Sequence, residues 1–107
     1  MPVMSTDESQ MVAFTLILHS GNARALVHEA IDAMKEGDFE TADAKMKEAE
    51  DALVEAHGAQ TDLLHAFAQG TEIEIQIIMV HAQDHLMTTM TLKEVAVELE
   101  YLFKKVA

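Results

Sequence analysis

The segment Asp38–Gly70, with the sequence DFETADAKMKEAEDALVEAHGAQTDLLHAFAQG, contains no proline and has a regular apolar spacing along its whole length. Its seam positions, which are apolar except for Gln60, recur at alternating intervals of three and four residues, the heptad spacing of a helix that packs along one side. These seam positions are Phe39, Ala42, Met46, Ala49, Leu53, Ala56, Gln60, Leu63 and Phe67. The spacing predicts one long helix over residues 39–68 that packs against other helices.

Capping patterns and glycines predict a further helix on each side of this one. The segment Ser5–Glu8 forms a capping box, in which a serine at the helix start is followed by a glutamate three residues later. Gly37 suits the end of the same helix, so we predict a first helix over residues 6–36. The segment Thr71–Glu74 repeats the capping pattern and predicts a third helix over residues 72–105.

The third helix has a seam of its own, which polar residues interrupt. Its positions are Ile78, His81, His85, Thr88, Leu92, Val95, Leu99 and Leu102. Residues 72–77 alternate between polar and apolar, as a strand would. We interpret them as helix because the seam continues from them without a break.

Length and composition limit what the chain can be. Its 107 residues, half of them hydrophobic, suit a single domain over residues 1–107. A net charge of −12 argues against nucleic-acid binding and against docking on anionic lipid. The lack of cysteine excludes disulfides, thiolate metal sites and cysteine nucleophiles. Because the apolar runs are far shorter than the ~20 residues of a membrane span, and the N-terminus does not resemble a signal peptide, we expect a cytoplasmic protein without membrane insertion.

Three helices of this length predict an elongated all-α protomer with up-down-up antiparallel topology. A helix of ~30 residues is ~45 Å long, whereas a compact chain of this size has a radius of gyration of only ~13 Å. The stretches Val12–Leu18 and Ile75–Val80 are apolar on nearly every side of their helices. Such stretches need neighbours all round, so we predict a homo-oligomer whose chains share these seams. The alternative is a monomer with an exposed apolar flank.

The segment Val80–Thr88, VHAQDHLMT, has four polar residues on one face of the third helix. They are His81, Asp84, His85 and Thr88, which lie three or four residues apart. A buried polar group without a partner costs about 1–3 kcal/mol, so four polar residues on one helix face make a function as plausible as a structural role. A single polar residue in a seam would more often only set the helix register.

Three chemistries fit this spacing. His81, Asp84 and His85 could ligate a metal. A neutral histidine could accept a phosphoryl group if an acceptor holds its other nitrogen. The histidines could also form a proton-driven switch. The zinc-protease pattern His-Glu-x-x-His and the di-iron pattern Glu-x-x-His are both absent, and the chain has no glycine-rich phosphate loop.

The segment Val80–Thr88 closely resembles the active-site segment of enzyme IIA of the bacterial sugar phosphotransferase system, in the lactose/cellobiose/diacetylchitobiose family. Other segments are similar to the same family, and the resemblance covers residues 7–105. These are Ser20–Arg24 (SGNAR), Gly37–Phe39 (GDF) and Ala56–Thr61 (AHGAQT).

The resemblance implies a cytoplasmic homotrimer in which three-helix protomers form a nine-helix bundle. It implies that His81 accepts a phosphoryl group from the phosphocarrier protein HPr, at Nε2, and passes it to a cysteine of the cognate enzyme IIB. It also implies that Asp84 meets its two copies on the threefold axis, where one Mg²⁺ binds per trimer. Three buried like charges repel, so such a trio must either protonate or hold a cation.

Further residues are candidates for supporting this chemistry. Candidate donors to the phosphate oxygens are His85, Thr88 and Gln83. Possible additional site residues are His57 and His19, for which core or surface roles are equally open. Arg24 is a possible phosphate partner, although an arginine exposed to solvent is the favoured interpretation, and His28 and His65 are interpreted as structural. Ala82 favours the cellobiose or chitobiose branch, since lactose members often have glycine there. The alternatives are a metal-binding helical bundle that uses His81, Asp84 and His85 without phosphoryl transfer, and a purely structural coiled-coil adaptor.

Overall fold

A computed structural model describes residues 2–107, which form a rod of three long helices. The helices are α1 (Thr6–Lys35), α2 (Phe39–Ala68) and α3 (Ile77–Val106), and they run up, down and up. The rod measures 58 × 20 × 18 Å, with a radius of gyration of 16.5 Å. This radius exceeds the ~13 Å of a compact chain of the same length, and the predicted elongated all-α fold is confirmed.

The ends of α1 and α2 follow the predicted capping chemistry. The Ser5 hydroxyl accepts a hydrogen bond from the backbone N–H of Glu8 at the start of α1. Asp38 accepts hydrogen bonds from the hydroxyl and the backbone N–H of Thr41, and these bonds lower the pKa of the Asp38 carboxyl. After α1, Gly37 has a φ of 74°, a left-handed conformation that costs glycine little.

The predicted start of α3 is wrong. Residues 71–76 are not helical, and α3 begins at Ile77 rather than at residue 72. Glu72 instead pairs with the N-terminal segment: its N–H donates to the Pro2 carbonyl at 2.8 Å, and its carbonyl accepts from the N–H of Met4 at 2.9 Å. The strand-like alternation of this stretch, rich in β-branched isoleucine, favours the extended backbone that this pairing requires.

The helix α1 lies between α2 and α3, which contact each other much less than each contacts α1. The buried face of α1 has residues spaced three and four apart, and most of them are small enough for close helix packing. They are Ser9, Ala13, Leu16, Ser20, Ala23, Val27, Ala30 and Met34. In α2 the predicted seam is buried at Ala42, Ala49, Leu53 and Ala56, although its last member, Phe67, is exposed.

In α3 the face that is buried within the protomer lies next to the predicted seam. The buried residues are Met79, Ala82, Leu86, Thr89 and Ala96. The predicted seam lies at the edge of this face, since Ile78, His85, Leu92 and Leu99 are half-buried and His81, Thr88, Val95 and Leu102 are exposed. Because apolar residues lie on more than one face of α3, both among the buried residues and in the predicted seam, periodicity alone could not identify the face that packs against α1.

Near the C-terminal end of α3, Glu100 approaches Asp43 of α2. A hydrogen bond between the two carboxyls raises the pKa of Glu100, and burial adds to the effect, while Lys104 opposes it. The pKa of Glu100 is thus higher in the folded state than its ordinary value of 4.5. The contribution of Glu100 to the free energy of unfolding is therefore complete below pH 4.5 and is lost as the pH rises through the pKa of the folded state.

We expect Glu100→Gln, which removes the charge, to raise the free energy of unfolding at pH 7 by about 0.5 kcal/mol and to change it little at pH 4. Urea unfolding of both proteins at both pH values measures this. Glu55→Gln is the matched control, since it removes an exposed carboxylate from α2. An equal gain at the two pH values would contradict a raised pKa of Glu100 in the folded state.

Candidate functional site

The polar cluster of α3, residues 81–88, contains one histidine that is exposed and one that contacts α1. His81 is exposed on the helix surface, and His85, one turn later, is half-buried. Their ring centroids are 5.9 Å apart and the ring planes are nearly perpendicular, at 87°. The helix thus brings the two imidazoles together and leaves His81 open to another molecule.

His85 is anchored to α1. Its Nδ1 lies 3.1 Å from Oγ of Ser20, which is fully buried, and the Ser20 hydroxyl in turn donates to the Leu16 carbonyl. Beside Ser20, a Cβ atom at Gly21 would lie 3.9 Å from Cε1 of His85, an ordinary van der Waals separation. The ring of His85 therefore rests against one turn of α1.

Two of the predicted phosphate donors already have partners within the protomer. The Thr88 hydroxyl donates to the Asp84 carbonyl at 2.8 Å, one turn back in α3. The Gln83 amide donates to Oε1 of Gln60 at 2.6 Å and thereby ties α3 to α2. Thr88 would have to give up this acceptor to bind a phosphate oxygen, whereas Gln83 could keep its bond to Gln60 and use its second N–H, which contacts Sδ of Met79 at 3.6 Å.

The three additional candidates lie on other helices. His19 is half-buried and Arg24 is exposed, both on α1. His57 lines a groove of about 410 Å³ between α2 and α3, together with Met90. Met90 is nine residues from His81, or roughly 13 Å along α3, so the protomer does not bring His57 beside His81.

Asp84 lies in an exposed stripe of α3. The members of this stripe are spaced three and four apart, and they are Ile77, Val80, Asp84, Met87, Thr91, Val95, Glu98 and Leu102. Five of the eight are large and apolar, and such a patch is typical of a protein–protein interface. Within the described chain, residues 2–107, no group of three or more histidines and carboxylates lies close enough to hold a metal ion.

A family model settles what kind of protein has this arrangement. Residues 11–104 match the model described as the lactose/cellobiose-specific IIA subunit of the phosphotransferase system. The chain belongs to this family. IIA components of this family are phosphotransferase carriers, so the predicted family and its general role are confirmed.

Relatives of this IIA protein match it over nearly the whole chain. The lichenan-specific phosphotransferase enzyme IIA component of Bacillus subtilis strain 168 is 44% identical over 100 residues, which are 94% of this chain and 91% of that protein. The crystal structure of PtcA from S. mutans has 62% identity and a TM-score of 0.93, and the match covers 94% of this chain and 99% of that chain.

A second similar structure contains a partner protein. It is the IIA(Chitobiose)–HPr complex of the Escherichia coli phosphotransferase system, solved in solution. Its match has 41% identity and a TM-score of 0.78, and covers 92% of this chain and 96% of that chain. In the IIA protein described here, none of the helices within residues 2–107 has an apolar stretch sufficient to cross a membrane.

Sequence reasoning did not identify Ser20 or Gln60 as contacts of the site. Both could have been noticed as polar residues at seam positions, since Ser20 follows Leu16 by four residues and Gln60 follows Ala56 by four. A polar residue in a seam calls for a partner on the facing helix. The sequence did not show which residue of α3 that partner would be.

Proposed function

We propose that this IIA protein is a phosphohistidine carrier that accepts a phosphoryl group on His81 from phosphorylated HPr and passes it to a cysteine of the cognate enzyme IIB. The transfer serves uptake of a β-linked disaccharide of the cellobiose, chitobiose or lactose type. The observation that supports this most directly is the exposed imidazole of His81, beside the anchored ring of His85. These residues lie within the stretch that matches the family model.

The chemistry consists of two displacements at phosphorus. In the first, a ring nitrogen of His81 forms a bond to phosphorus as the bond to the HPr histidine breaks, and the HPr imidazole leaves with that electron pair. In the second, a thiolate of enzyme IIB forms the S–P bond, and His81 recovers its lone pair. Phosphoryl transfer has a loose transition state, so catalysis depends mainly on positioning and charge stabilisation. An exposed nucleophile allows both partners to approach from solvent.

The proposed partners fit the charge and the similar structures of this chain. The complex of the E. coli chitobiose IIA with HPr supports HPr as the donor. The net charge of −12 would attract a donor or acceptor that presents a basic surface and would speed the encounter. A relay between these partners would operate in the cytoplasm.

We further propose that three copies assemble around the exposed stripe of α3. A closed threefold ring shows each chain the same surface, so the apolar residues flanking Asp84 would be buried against their own copies. Asp84 would then face two identical carboxylates at the axis. A bound Mg²⁺ suits this donor set, because Mg²⁺ prefers carboxylate oxygens and keeps several waters. Its charge would offset the repulsion of the three carboxylates.

The phosphorylation site is the decisive test of this function. The purified protein, incubated with phosphoenolpyruvate, enzyme I and HPr, should gain the mass of one phosphoryl group per chain. Peptide mapping at alkaline pH, where phosphohistidine is stable, should locate the group on His81. A group on another residue, or no gain in mass, would contradict the proposal.

The metal content separates the relay from the alternative of a metal-binding bundle. Elemental analysis of the purified protein should find one magnesium per three chains. Tightly bound zinc or iron at one per chain would favour a metal protein that uses His81, Asp84 and His85.

A further inference from the structure

The hydrogen bonds of the buried Ser20 hydroxyl indicate which ring nitrogen of His85 carries a proton. A serine hydroxyl has one proton to donate and two lone pairs that accept. The Ser20 proton goes to the Leu16 carbonyl, one turn back in α1. The oxygen therefore has only acceptor capacity left for Nδ1 of His85, which lies 3.1 Å away. With the hydroxyl proton on the Leu16 carbonyl, the contact is a hydrogen bond only if Nδ1 carries a proton.

The residues around Ser20 and His85 disfavour a rearrangement of these hydrogen bonds. Ser20 and Leu16 are both fully buried, so water does not compete for the hydroxyl. The ring of His85 also lies close to Gly21, where a Cβ atom would be at van der Waals distance from Cε1 of the ring. Rotating the ring of His85 would remove the hydrogen bond that the buried Ser20 oxygen accepts, and the free-energy cost would be about that of one lost hydrogen bond.

We propose that Ser20 is a positioning residue that holds the neutral ring of His85 in the Nδ1–H tautomer, so that Nε2 is a hydrogen-bond acceptor beside His81. A neutral imidazole has one donor nitrogen and one acceptor nitrogen, so a donor at Nδ1 makes Nε2 the acceptor. The tautomer is inferred from the contacts of Ser20 and His85 alone, whereas its consequence for catalysis rests on the proposed phosphoryl relay.

An acceptor next to His81 has a direct use in that relay. With ring centroids 5.9 Å apart, Nε2 of His85 can take the N–H of the His81 ring after a small turn of the exposed side chain, or through one water. The other nitrogen of His81 then keeps its lone pair for phosphorus. In this role the neutral His85 orients the nucleophile, whereas the sequence pattern predicts a donor to phosphate oxygens at this position.

The chain offers a matched control for Ser20. Ser9 is the other buried serine of α1, on the same face and 1% exposed. Within residues 2–107 its hydroxyl has no hydrogen-bond partner, so replacing Ser9 removes a buried hydroxyl without touching a histidine. Any effect of losing a small polar group from the core should therefore appear in Ser9→Ala as well.

The experiment combines a spectroscopic and a kinetic measurement on the full chain. Long-range ¹H–¹⁵N correlation spectra of histidine-labelled protein at mildly alkaline pH report which ring nitrogen carries hydrogen, and the His85→Gln spectrum assigns the His85 signals. We expect a protonated Nδ1 at His85 in the unmodified protein and in Ser9→Ala, and a shift towards protonated Nε2 in Ser20→Ala. The rate of phosphoryl transfer from HPr should fall about fivefold to tenfold in Ser20→Ala only.

The possible outcomes separate this proposal from the proposed function. A hydrogen on Nε2 of His85 in the unmodified protein overturns the inference, even if Ser20→Ala fails to fold. An unchanged tautomer in Ser20→Ala also overturns it, whether or not transfer slows, because a slower rate would then reflect packing. If the unmodified protein accepts no phosphoryl group at all, the relay fails, while the same spectra still decide the tautomer.

Discussion

His81→Ala should accept no phosphoryl group from phosphorylated HPr while remaining folded. The variant lacks the nucleophile, and the neighbouring imidazole of His85 is half-buried and held against Ser20, so the transfer rate should fall by at least about a thousandfold. Because the His81 side chain is exposed, its removal should change the free energy of unfolding by less than about 0.5 kcal/mol. Transfer of labelled phosphate measures the first effect, and thermal unfolding followed by circular dichroism measures the second.

His28→Ala is the matched control for this variant, since it removes another exposed histidine, from α1. It should be labelled at the rate of the unmodified protein. Persistent labelling of His81→Ala would refute the assignment of the nucleophile. Loss of labelling in both variants would point to a general effect of removing histidines.

Asp84→Leu should assemble at least as well as the unmodified protein and should no longer bind an axial metal ion. In the proposed trimer the substitution replaces three mutually repelling carboxylates with apolar side chains inside an apolar stripe. Replacing buried charges with well-packed apolar groups is often stabilising by about 1–4 kcal/mol, so we expect a higher free energy of unfolding in metal-free buffer. Sedimentation velocity, urea unfolding and elemental analysis measure the three effects.

Asp62→Leu provides the comparison for Asp84→Leu, because it removes an exposed carboxylate of α2 outside the stripe. It should leave both stability in metal-free buffer and metal content nearly unchanged. An Asp84→Leu protein that unfolds or dissociates into monomers would place Asp84 away from the axis. A metal content unchanged by Asp84→Leu would show that the ion binds elsewhere.

The two predictions differ in how much of the structure they use. The role of His81 depends on one side chain that could be recognised within a nine-residue motif, because the residues of that motif are neighbours on the same helix. The role of Asp84 depends on which face of α3 is left uncovered by α1. That face became apparent only when the buried residues, such as Leu86, were separated from the exposed ones, such as Met87.

The sequence by itself determined the all-α fold, the bounds of α2 and the turn at Gly37. These features depend on interactions between residues close in the chain: the heptad spacing within one helix, the Asp38 cap and the left-handed glycine. For the same reason it determined the group of polar residues from His81 to Thr88, since a helix places residues three and four apart on one side.

The tertiary structure alone decided the start of α3, the face of α3 that is buried and the contact between Ser20 and His85. Residues 71–76 are not helical, and Glu72 takes its backbone partners from the N-terminal segment, about 70 positions away in the chain. Ser20 and His85 meet because α1 packs against α3. Such contacts depend on the relative placement of whole helices, and a periodic pattern within one helix carries no information about the rotation of its neighbour.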